Sequence, residues 1–122
     1  YTLSLHDALP ILLDKKLSES MLAISINSSP VFKDGKSKGT LRIENAPNNR
    51  YNMKVRITMD SDEREIYHSD AIKPAQVIKE DYLDEELKKG TYPCTATFEA
   101  YDTKTNEKAG EASAKLKIKV KE

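Results

Sequence analysis

Tryptophan is absent from this chain, and cysteine occurs once, at Cys94. One cysteine excludes an intrachain disulfide, so stability must come from the core. It fits a reducing compartment and equally an exported domain that needs no staple. An excess of charge of one sign is missing too, since 20 Lys and Arg stand against 20 Asp and Glu. That balance argues against a nucleic-acid binder and against a polybasic membrane-surface patch. The four glycines, Gly35, Gly39, Gly90 and Gly110, are isolated, which leaves no phosphate-cradling loop. Apolar runs fall far short of a membrane span. What is present is one domain's length, 122 residues, enough to bury a sizeable core.

The chain divides into three parts. Residues 1–11, Tyr-Thr-Leu-Ser-Leu-His-Asp-Ala-Leu-Pro-Ile, resemble the in-frame translation of a short-read sequencing adapter. On that reading His6 and Asp7 belong to no active site, and the native start of the gene lies elsewhere. Residues 12–21 carry Leu13, Leu17 and Met21 at i, i+4 and i+8, an amphipathic spacing that predicts a short helical stub or linker. Residues 22–122 form the domain proper.

From Leu22 the apolar period becomes two. Leu22, Ile24 and Ile26 alternate with smaller or polar residues, and Val31-Phe32 follow a Ser28-Ser29-Pro30 turn. Leu41 and Ile43 mark the next strand. The clearest is Tyr51 to Met59, with Tyr51, Met53, Val55, Ile57 and Met59 on one parity. Ile66-Tyr67-His68 and an edge strand at Val77-Ile78 come next. Two long strands close the chain: Tyr92, Cys94, Ala96, Phe98 and Ala100 share one parity, as do Ala112, Ala114, Leu116, Ile118 and Val120. Asp102 to Asn106 is the hairpin between them. Lys115, Lys117, Lys119 and Lys121 face outward, as a solvated row that discourages edge-to-edge pairing. Pro93 conflicts with a central strand, so pairing is expected to begin just after it. About seven short strands with regular turn signals predict an all-β antiparallel sandwich.

Residues suited to chemistry are few. His68 is a lone histidine once His6 is set aside; Ser69 and Asp70 follow it, but adjacent residues of a strand point to opposite faces. One His and one Cys cannot supply a metal-ligand set. Asp60, Asp62 and Glu63 lack the spacing of a calcium loop and read as a solvated hairpin. Cys94 lies on the inward parity as a small core residue. Glu80-Asp81 and Asp84-Glu85-Glu86 read as loop charges. Tyr67, Tyr82 and Tyr101 are the candidate ligand-facing aromatics, a stacking platform if they share one exposed face. No catalytic residue, cofactor or metal site is expected.

The run Leu87-Lys88-Lys89-Gly90-Thr91-Tyr92-Pro93-Cys94 resembles the Leu-x-x-Gly-x-Tyr corner of immunoglobulin-like and fibronectin-like sandwiches. Leu87, Gly90 and Tyr92 would form the structural corner, with the Tyr92 hydroxyl bonded back to the backbone. Without a second Cys or a Trp the chain departs from antibody-type domains. Through Met21–Ser28, Pro30–Gly35, Leu41–Asn45 and Gly90–Asp102 it is also similar to small, membrane-anchored surface proteins of Gram-positive gut bacteria. That resemblance implies an extracellular domain tethered through an upstream segment, and no particular activity. The expectation is therefore a non-catalytic immunoglobulin-like module with a structural or protein-interaction role. Its partner would be a protein or glycan at the cell surface, not nucleic acid, with the membrane met only through the N-terminal anchor. Alternatives are a surface carbohydrate-binding module, or a sandwich-type protease inhibitor acting through the loops Asn45–Arg50 and Asp102–Asn106.

Overall fold

Alternating apolar residues from Ile24 onward build two facing sheets around a single buried layer. The computed structural model describes residues 24–122, together with two short strands, β1 (Thr2–Leu3) and β2 (Ile11–Leu13). The other strands are β3 (Ile24–Ser25), β4 (Val31–Phe32), β5 (Ile43–Asn45), β6 (Tyr51–Met59), β7 (Glu65–His68), β8 (Val77–Ile78), β9 (Gly90–Asp102) and β10 (Lys108–Val120). No helix occurs among the described residues. The helical stub expected over residues 12–21 lies outside them except at Leu12 and Leu13, which are strand and pair with Ser113 and Ala112.

Within residues 24–122 one sheet has the order β3-β5-β8 and the other the order β10-β9-β6-β7, with β4 parallel to β10. The molecule is thus all-β and sandwich-like. The core lies between the sheets. Met53, Val55 and Ile57 of β6, Cys94, Ala96 and Phe98 of β9, and Leu116, Ile118 and Val120 of β10 meet Ile24, Leu41 and Ile43 from the other sheet. Each large side chain buried this way contributes roughly 1.5–3 kcal/mol. Gly39 allows a close approach, because a Cβ there would stand 2.3 Å from the Phe32 ring.

Two departures from simple alternation matter. In β7 the register slips, with Ile57 opposite Tyr67 and Thr58 opposite Glu65. The bulge leaves Ile66 without a register partner on β6 and turns both Ile66 and Tyr67 inward. In β9 the pairing with β10 starts at Gly90, before Pro93 and not after it. Pro93 is tolerated because its carbonyl accepts from Asp60 N at 3.0 Å, which places its ring nitrogen on the β6 side. Strand β6 ends at Met59, so only the last rung lacks a donor, and the β10 ladder is intact.

Candidate functional site: the loop end of the sandwich

Strand register decides which loops meet. Tyr51 stands opposite Asp102 at the end of the β6–β9 ladder. The β5–β6 loop, residues 46–50, therefore leaves the sheet beside the β9–β10 hairpin, residues 103–107. A bridge between Met53 and Ile72 brings residues 70–76 to the same end, with paired backbone bonds of 2.9 and 2.7 Å.

One side chain ties this end together. Asn45 is 1% exposed. Its Nδ2 donates to the Tyr51 carbonyl and to the Ile72 carbonyl, each at 2.8 Å. Its Oδ1 accepts from Asn49 Nδ2, and its backbone bonds to Gln76 O and Ala75 N. Composition alone marks Asn45 as a loop residue; the sequence signal that could have found it is an Asn on the inward parity of Leu41 and Ile43.

The hairpin is ordered by Asp102. Its Oδ1 accepts from Lys104 N at 2.8 Å and Thr105 N at 3.0 Å, and Asn106 adopts a positive φ of 60°. These backbone donors, Thr105 first and then Lys104, hold the Asp102 carboxyl below its ordinary value. Asn48, Arg50, Thr103, Lys104, Thr105, Asn106 and Glu107 are exposed on this framework. The surface is polar and rich in paired donors and acceptors.

The aromatic platform is not assembled. Tyr67 is 1% exposed, turned inward by the bulge, and its hydroxyl donates to Asp81 Oδ2 at 2.8 Å. Burial, reinforced by Asp81, pushes its phenol well above the usual range. Tyr82 is exposed beside the Gly39–Asp81 bridge, under Lys38 at 5.4 Å. Tyr101 belongs to β9 in the other sheet, where Lys54 sits 4.8 Å over its ring. Tyr67 is therefore corrected from a ligand-facing residue to a core one.

The remaining candidates have structural partners. Ser69 Oγ accepts from Val55 N at 2.9 Å, while Ser69 N donates to Val55 O at 2.8 Å. His68 is exposed and places Nδ1 2.6 Å from Asp84 Oδ2. Asp60 accepts from Thr95 Oγ1 at 2.7 Å, and Asp62 caps Arg64 N at 3.0 Å within the β6–β7 hairpin. Cys94 is fully buried, and loss of solvent pushes its thiol up to about 12. Three or more metal-ligating side chains do not cluster anywhere among the described residues. At the start of β9, the Tyr92 hydroxyl donates to the Lys88 carbonyl at 2.6 Å, Leu87 is buried, and Gly90 holds a φ of 156°. No protein-family model, curated protein or solved structure matches the chain.

Proposed function

We propose that the chain is an immunoglobulin-like sandwich serving as a non-catalytic interaction module of a membrane-tethered bacterial surface protein. Three features support the immunoglobulin-like assignment. The N-terminal segment changes sheet, β3 joining β5 and β4 running parallel to the last strand. The second sheet has the order β10-β9-β6-β7. The Tyr92–Lys88 bond has the form of a tyrosine corner.

The observation that carries the interaction reading is the Tyr51–Asp102 register, which gathers exposed loops on a rigid base. Antibody variable domains bind through loops gathered in this way at one end of the sandwich. The partner is a surface protein or glycan, and the extracellular location follows from the sequence resemblance.

The test is to place a photo-crosslinking residue at Thr103 or Asn48 in the full-length protein and irradiate intact cells. Defined adducts from these positions, and none from Lys79 on the other sheet, are expected. External protease should also remove the domain from intact cells. Equal adducts from Lys79 would overturn the loop-end site, and protection from protease would overturn the location.

A further inference from the structure

A second surface, away from the loop end, carries an unbalanced charge. Leu116, Ile118 and Val120 are buried, so Lys115, Lys117, Lys119 and Lys121 alternate with them on the outer face of β10. Residues two apart in a strand are about 6.5–7 Å apart, which makes a row of roughly 20 Å. Acids on this face already have partners. Glu99 meets Arg56 at 3.5 Å and Lys108 at 3.4 Å, Glu111 meets Lys108 at 2.8 Å, and Asp60 meets Lys115 at 3.3 Å. Lys117, Lys119 and Lys121 have no ion pair among the described residues. Their cross-strand neighbours on β9 are Pro93 and Thr91, which are uncharged.

Edge protection does not account for the row. A lysine-rich strand guards a sheet when its own edge is open. Here the edge is closed: Lys117 N, Lys119 N and Lys121 N donate to Ser28 O, Pro30 O and Phe32 O at 2.9, 3.0 and 2.9 Å. In a chain with balanced overall charge, these three ammonium groups stand side by side on a closed strand with no ion-pair partner among the described residues.

We propose that this strip docks a linear acidic polysaccharide, its carboxylates lying along Lys117, Lys119 and Lys121. Charge complementarity selects a polyanion, and the strip's chemistry selects among polyanions. Single-stranded nucleic acids are held by aromatic rings that stack the bases. The strip has none, and Tyr101 on the same sheet is covered by Lys54. Lysines act as point charges and impose no bidentate geometry on the anion, which suits charges spaced along a linear chain. The proposal is independent of any partner at the loop end.

The test is affinity electrophoresis of the domain through gels containing polygalacturonate. Fully methyl-esterified polygalacturonate, which keeps the backbone without the charge, serves as control. Retardation by the acid form alone is expected, weakening with salt at a log–log slope of about −2 to −3 for three neutralised charges. The K117Q/K119Q/K121Q variant should lose at least about tenfold in affinity, whereas K38Q/K73Q/K79Q, an equal change of charge elsewhere, should stay within about twofold. Unchanged circular dichroism verifies that both variants fold. No retardation of the wild-type domain, or equal losses in the two variants, would overturn the strip. Binding of a thymidine homopolymer as tight as that of polygalacturonate would overturn the choice of polysaccharide.

Discussion

At Asn45 one buried amide donates to two backbone carbonyls from different chain segments. Its replacement by Ala would strand the Tyr51 carbonyl and take one of two donors from the Ile72 carbonyl, which keeps Met53 N. A loss of about 2 kcal/mol is expected, read as a lower urea midpoint at unchanged slope. Asn45→Asp should be no milder, because a carboxylate cannot donate to either carbonyl. Cys94 gives a pH-dependent counterpart. Its thiol moves from an ordinary 9.0 to about 12 on folding. Between those values the unfolded chain has released the proton and the folded chain retains it, so stability falls as pH rises through this window and is complete below it. Tyr67, shifted in the same direction, adds to the fall. In urea titrations between about pH 8 and pH 11, Cys94→Ala should flatten the decline. Native protein should react with a thiol reagent far more slowly than denatured protein. Parity placed Cys94 inside correctly. It failed at Tyr67, because a bulge shifts parity without leaving a mark in residue type.

The corner at the start of β9 is the element most open to direct test. Tyr92 bonds the Lys88 carbonyl across the turn that delivers the chain into β9, one of the two longest strands. Tyr92→Phe keeps the ring and removes the bond, and a loss of about 1 kcal/mol is expected from thermal or urea unfolding. A loss beyond measurement error with unchanged spectra would tie the corner to stability; no loss would make it ornamental. Long strands were legible as elements. Strands β6, β9 and β10 announce themselves because each alternates for nine residues or more. Strands β3, β4 and β8 have two residues each, too few for a period, and are fixed by their neighbours. The Pro93 expectation failed for a related reason. Sequence shows that a donor is missing, whereas only the sheet order shows that the missing donor faces the end of β6.

For the molecule as a whole, strand pairing mixes local and distant chain segments. The hairpins β6–β7 and β9–β10 are local, while β6–β9 and β4–β10 join remote segments. Such pairings bear the entropy of long loop closure and fold slowly for their size. They also explain why the loop end could be guessed as two loops but not as one site. Nothing in residues 46–50 indicates that 103–107 lie beside them; the Tyr51–Asp102 register does. The lysine row was visible from the outset, and its meaning changed only when the strand beside it closed the edge.

That closing strand has a mechanical consequence. Because β4 runs parallel to β10, tension pulling the chain before Ser28 away from the chain after Lys121 acts along both strands at once. The three bonds from Lys117, Lys119 and Lys121 to Ser28, Pro30 and Phe32 then share the load and must yield together, where a hairpin pulled at its open end would unzip one bond at a time. The join between β4 and the last strand is a shear clamp.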